Sequence, residues 1–175
     1  MVPMGTSASS RCVATSQKRS SMPIIHEMKF SRITELAGQW RAEGEKIGFA
    51  NGCFDICHAG HVSLVRFAKQ HCDKLIVGIN NDESVGQLKG PGRPLNNVDL
   101  RAAVLDEMRS VDCVVIFASL QLEALIRAIS PHLIIKGAEY EDRFVVGSLA
   151  SRIMFAPMVP GLSTTALIER TRNGR

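Results

Sequence analysis

Two histidines three residues apart, His58 and His61, close the segment Asn51-Gly-Cys-Phe-Asp-Ile-Cys-His-Ala-Gly-His61, with Asp55 upstream and Ala59-Gly60 between them. Imidazole N–H groups donate hydrogen bonds to phosphate oxygens, and a glycine lets a ligand approach the backbone closely. A helix starting at this point would add unpaired backbone N–H groups and a positive dipole end, so an anion is favoured there. One histidine beside an apolar strand is ordinarily a packed core residue. Two of them around Ala-Gly, preceded by an aspartate, are harder to explain by packing. The same stretch also contains Cys53-x-x-x-Cys57-His58-x-x-His61, which reads as a metal- or redox-competent constellation. Structural zinc pairs come as two separated knuckles, whereas these candidates crowd together with no second cluster. Thiols that act as small hydrophobes are the simpler account.

The elements that must position this segment follow from the apolar pattern. Ser31 precedes Ile33, Leu36, Ala37 and Trp40, a helical spacing that stops at Gly44, with Ser31 as the expected N-cap. Short apolar runs then alternate with helical patterns: strand 46–50, helix 62–71, strand 75–79, helix 98–109, strand 111–117, helix 120–129 closed by Pro131, and strands 133–135 and 153–155. Strands alternating with helices, several of them apolar on both faces, predict an α/β fold: a Rossmann-like, doubly wound parallel sheet in a single domain. Ligands of such sheets bind beyond the carboxyl ends of the strands, where the histidine segment falls. Lys136 and Gly137 end another strand at the same edge. Residues 81–97, rich in glycine and proline and carrying Lys89 and Arg93, are too long for a mere connection and read as a mobile lid. Residues 137–151, acidic at Glu139, Glu141 and Asp142, also break the rhythm. Ser163-Thr164-Thr165 opens a last helix, as N-caps and as a second anion site.

The chain's composition narrows the partners. Its 175 residues, 45% apolar, suffice for one core without staples. The net charge of +4 owes much to Arg11, Lys18 and Arg19, in a tail with no acid before Glu27, so the domain itself is near neutral. That argues against nucleic acid, which wants a basic stripe on a folded face. Five cysteines, irregularly spaced, fit a reducing cytoplasm better than a secreted disulfide framework. No apolar run reaches the roughly 18 residues of a membrane span. Residues 1–27 are expected to be a disordered or mis-started tail, with a transit peptide as the alternative, and residues 28–175 the domain.

His58-Ala59-Gly60-His61 resembles the HxGH motif of the nucleotidylyltransferase superfamily. Together with NGCFDICHAGHVSLV, LKGPGRPLN (88–96), IIKGAEY (134–140) and GLSTT (161–165), it is most similar to the D-glycero-β-D-manno-heptose 1-phosphate adenylyltransferase family, over residues 46–168. The resemblance implies an enzyme that joins AMP from ATP to the sugar 1-phosphate, releasing pyrophosphate, with Mg²⁺ accompanying the ATP. It implies catalytic roles for His58, His61 and Lys89. It places Phe54, Asp55, Gly60, Arg101, Lys136, Gly137, Ser163, Thr164 and Thr165 about the nucleotide, and Asn51, Gly52, Cys53, Asp55 and Arg93 about the sugar phosphate. Asp55 is the one weak candidate for a metal contact. Cys57 stands where the family pattern has an aliphatic residue. The rival enzyme is a cytidylyltransferase acting on glycerol 3-phosphate or another polyol phosphate. Its relatives carry an arginine-threonine-glutamate stretch before the serine, where this chain has Met158-Val-Pro-Gly-Leu162. A metal- or redox-sensing nucleotide-binding module is the non-enzymatic alternative. Since the heptose enzyme often occurs fused to a sugar kinase, a separate kinase polypeptide is expected, and a homo-oligomer with it.

Overall fold

The computed structural model describes residues 24–25, 30–149, 151–159, 161, 164–172 and 174. Six parallel strands form one sheet: β1 (Ile24–Ile25), β2 (Ile47–Gly52), β3 (Lys74–Asn80), β4 (Cys113–Phe117), β5 (Leu133–Gly137) and β6 (Arg152–Ala156), in the order β1-β4-β3-β2-β5-β6. The chain winds outward from β2 through β3 to β4, then crosses back to lay β5 on the other side of β2. Strand order therefore reverses between β2 and β5, and the crevice at their carboxyl ends is the expected ligand position of a doubly wound sheet. Ile24–Ile25, within the segment expected to be a tail, pairs with Val114 and Val115, and Ile25 is buried.

Alternation along each strand splits the core into two layers. Leu75, Val77 and Ile79 of β3 join Val114 and Ile116 of β4 on one face, under α2 (Ala59–Lys69) and α4 (Val98–Asp106). Ile76 joins Phe49, Val115 and Phe117 on the other, under α1 (Phe30–Ala42) and α5 (Leu122–Ile129). Gly78 is where two of these aromatic rings meet over the sheet. A Cβ there would lie 2.9 Å from the Phe49 ring and 3.1 Å from that of Phe117, so any side chain would force the rings apart.

Several boundaries move from their expected places. Ser31 lies inside α1, which buries Ile33, Ala37 and Trp40 as expected and ends ahead of Gly44. That glycine has φ +80°, and the next amide, Glu45 N, donates back to Trp40 O at 2.9 Å, a left-handed helix stop. α2 begins at Ala59, three residues before the expected start, which makes His58 its N-cap. The expected lid is half helix: α3 (Asp82–Lys89) is capped by Asn81, whose Oδ1 accepts from Ser84 N at 2.9 Å. Gly86 and the glycines and prolines that follow hid that helix from a periodicity reading. α4 ends at Asp106, and β4 starts only at Cys113. The last helix, α6 (Thr164–Arg172), lies where the motif placed it. No helix among the described residues is long and apolar enough to cross a membrane.

Candidate active site

β2 delivers Asn51 and Gly52 to the carboxyl edge of the sheet, and the next six residues turn the chain into α2. At that turn the two histidines hold each other. His58 Nδ1 accepts from Gly60 N at 3.1 Å, and His61 Nδ1 accepts from His58 N at 3.3 Å, a reciprocal cap in which both partners are imidazoles. Both Nδ1 atoms are used as acceptors, so in each ring the proton sits on Nε2, which is left as the donor. The rings stack with centroids 3.8 Å apart, and Phe54 lies 4.9 Å from the His61 ring. Burial, and then the neighbouring His58, push His61 down to about 4, and burial lowers His58 as well. At neutral pH the pair is therefore two uncharged donors. Phe54 itself has φ +49°, a left-handed conformation that costs a non-glycine residue about 1–3 kcal/mol and that clusters at functional sites. Gly52 makes room for it, since a Cβ there would lie 3.3 Å from the Phe54 ring.

A second wall comes from residues 90–97. The Asp55 carboxylate, 3% exposed, accepts from Leu95 N at 2.7 Å, from Asn96 N at 3.1 Å and from Arg93 Nε. Asn96 Nδ2 donates to Asp55 O at 2.8 Å. Arg101 is buried beneath, donating to Asn96 O at 3.0 Å, to Cys53 O at 2.6 Å and to Asp82 Oδ1 at 2.6 Å. The segment expected to be a mobile lid is thus fastened to the backbone and carboxylate of the histidine motif. Arg101 does not reach the cavity; it is bonded to this wall from behind.

The walls enclose a cavity of about 720 Å³ at the switch point. It brings together His58, Gly60 and His61, the run from Asn51 to Asp55, Lys89, Arg93, Lys136, Gly137 and Thr164. Ser163 lies outside the described residues, as does the side chain of Thr165. Burial pushes the Lys136 ammonium down to about 8 against the opposing pull of Glu139, and its Nζ sits 5.1 Å from the Tyr140 ring centre. Sequence reasoning missed Asn80, Ser119, Glu139 and Tyr140, which also line the cavity. Asn80 ends β3, so the carboxyl-edge rule applied to every strand would have found it. Ser119, in a helical turn two residues past β4, carries no local signal.

The family model described as cytidylyltransferase-like matches residues 49–170, from the middle of β2 to within two residues of the end of α6. The chain belongs to the cytidylyltransferase-like family. It is 43% identical over 164 residues to the "Bifunctional protein HldE" of Mesorhizobium japonicum, covering 89% of this chain and 33% of the relative. With the protein of the same name from Caulobacter vibrioides it shares 44% identity, over 91% of this chain and 34% of the relative. The chain thus spans about a third of the length of these curated relatives. Two solved structures share the fold. One is a lipopolysaccharide core biosynthesis protein from Thermoplasma volcanium, with TM-score 0.55 and 21% identity over 66% of this chain and 98% of that one. The other is a pantoate-beta-alanine ligase from Francisella tularensis, solved with an ATP compound and beta-alanine, with TM-score 0.56 and 16% identity over 86% of this chain and 73% of that one.

The geometry bears on two readings of the motif's side chains. Both carboxylate oxygens of Asp55, the weak candidate for a magnesium contact, accept hydrogen bonds from the second wall, so a metal ion there would share them with that wall. Among the described residues no group of three His, Cys, Asp or Glu side chains could hold a metal ion. The Cys53 and Cys57 thiols are both pushed up by burial, which keeps them protonated and poor as ligands or nucleophiles at neutral pH.

Proposed function

We propose that the chain transfers the adenylyl group of ATP to D-glycero-β-D-manno-heptose 1-phosphate, giving ADP-heptose and pyrophosphate. The observation that carries the nucleotidyl-transfer reading is the pair of stacked, neutral imidazoles that cap α2 and open into the cavity. The heptose substrate rests on the four ordered motifs and on the similarity to the HldE proteins.

In this reading an oxygen of the sugar phosphate attacks the α-phosphorus of ATP. A new P–O bond forms, the bridge to the β-phosphorus breaks, and pyrophosphate leaves with the electron pair. Such transfers ask the protein for position and for donors aimed at developing charge, with no covalent intermediate on the enzyme. His58 and His61 supply fixed Nε2–H donors for the phosphate oxygens. Being neutral, they stabilise charge without acting as acids. Lys89, exposed and without an ion-pair partner among the described residues, and Lys136 add positive charge. The α6 N-terminus at Thr164 supplies a second site for the departing pyrophosphate. Glu139 is the carboxylate of the cavity lining that the second wall does not engage, and a divalent ion accompanying the ATP would be carried mainly by the triphosphate's own oxygens.

The family's description favours a second reading with CTP as the donor, to which the rival set out from the sequence adds glycerol 3-phosphate or another polyol phosphate as acceptor. A pyrophosphate-release assay crossing four nucleoside triphosphates with sugar and polyol phosphates separates the two. Release with ATP and the heptose 1-phosphate is expected, while preferential release with CTP and glycerol 3-phosphate would replace the proposal. The reading requires another reaction that places a phosphate on the anomeric oxygen of the sugar. In the bifunctional relatives a second activity resides in one longer chain, so the expected separate polypeptide is not carried forward.

A further inference from the structure

The cavity is chemically two-sided. Towards β5, β6 and α6 it carries Lys136, the Thr164 helix end and the apolar run Pro157–Val159, suited to phosphates and the faces of a base. Towards β3 and β4 the side chains at the strand ends, Asn80 and Ser119, are a neutral amide and a hydroxyl, while the cations Lys89 and Arg93 act on the Cys53 thiol beside them. At the carboxyl end of β3, Asn80 donates from Nδ2 to Ser119 Oγ at 3.0 Å, which leaves the serine hydroxyl proton to be donated elsewhere. The Cys53 thiol lies 4.0 Å from Asn80 Oδ1. Next to them, at the end of β2, Asn51 Oδ1 is buried with no hydrogen-bond partner. The fold binds the other asparagines of this edge firmly: Asn81 and Asn97 cap helices, and Asn96 bonds Asp55. A buried amide carbonyl without a partner is rare, and it calls for an explanation in terms of what it awaits.

We propose that Asn51, Asn80 and Ser119 form a neutral hydroxyl-recognition line that reads the ring of the acceptor sugar phosphate, and that they are specificity-determining residues. The inference rests on the sugar-phosphate reading above. A polyhydroxylated ring offers a donor and acceptor lone pairs at every hydroxyl and no charge. Amide and hydroxyl side chains match it, whereas a cation or carboxylate would be left with its own charge to desolvate. The strand order puts Asn80 and Ser119 on the β3 and β4 side of β2, which carries Asn51 and leads to the histidines, and Lys136 on the β5 side, so acceptor and nucleotide would meet over His58 and His61.

Titration calorimetry on the full chain tests the line without requiring turnover, using mannose 1-phosphate, hydroxyl-free ethyl phosphate and ATP as ligands. The unmodified chain should bind mannose 1-phosphate at least tenfold more tightly than ethyl phosphate. Asn51→Ala and Ser119→Ala should each remove most of that ratio, leave ethyl phosphate and ATP within about twofold, and be rescued at position 119 by Ser119→Thr. Equal binding of the two phosphates by the unmodified chain would overturn the proposal. So would variants that weaken ethyl phosphate as much as the sugar phosphate, or that weaken ATP instead. If one variant fails to fold by circular dichroism, the other decides. A hydroxyl-dependent ratio in a chain that releases no pyrophosphate with any sugar phosphate would keep the line and sink the transferase reading.

Discussion

The two walls of the cavity are built by opposite means. The histidine turn closes on itself within four residues, so the tautomer and stacking of His58 and His61 are set as soon as α2 starts. Residues 90–97 are positioned by bonds to residues far away in the chain. Arg93, Leu95 and Asn96 reach back 38 to 41 positions to Asp55, and Arg101 reaches back 48 to Cys53. A locally closed element should lose function without losing the fold. A wall held through one buried carboxylate should lose both.

His61→Ala removes one donor and one half of the reciprocal cap. Turnover in the pyrophosphate assay should fall by about 10²–10⁴, the usual worth of a donor aimed at developing charge. Stability should fall by only about 1 kcal/mol, as for a lost cap. Loss of stability in proportion to activity would erase the contrast between the walls. Asp55→Ala strands the Arg93 guanidinium and two backbone amides. Urea unfolding should report a loss of about 3–5 kcal/mol, the range for breaking a buried pair by removing one partner. Amide exchange should rise across residues 90–97 and not at the start of α2. Uniform exchange across both walls would show that the latch is not separate.

A further contrast concerns protons. In the folded chain His61 is held at about 4, below the ordinary 6.5, by burial and then by His58. Between these values the unfolded chain takes up a proton that the folded chain refuses. The contribution of His61 to stability is therefore complete above about 6.5, declines as pH falls, and is lost through about 4. Nitrogen chemical shifts should show His61 protonated on Nε2 and bare on Nδ1 at pH 6. A charged ring at that pH would mean that the cap does not fix its state.

The alternation of apolar strands and helices was legible because it is a local period, and so was the anion-binding turn, whose parts lie within eleven residues. Helix α3 was not legible. Its cap, Asn81, and its acidic first turn were there to be read, but Gly86 and the glycines and prolines that follow made the whole segment look like a loop. Asp55 shows the same limit in chemistry. Its type and place suggested a ligand, and only the fold revealed that its carboxylate also fastens the second wall.

From the sequence alone came the parallel sheet, the histidine pair and the position of the motif at a carboxyl edge, since each depends on neighbours within a turn or a strand. The tertiary structure decided which groups share the cavity. Asn51, Asn80 and Ser119 are separated by 29 and 39 positions in the chain, and the parallel register, with Asn51 opposite Gly78 and Asn80 opposite Phe117, brings all three to one edge of the sheet. Parallel strands place their carboxyl ends at one edge whatever the length of the connections between them, and no local pattern records that meeting.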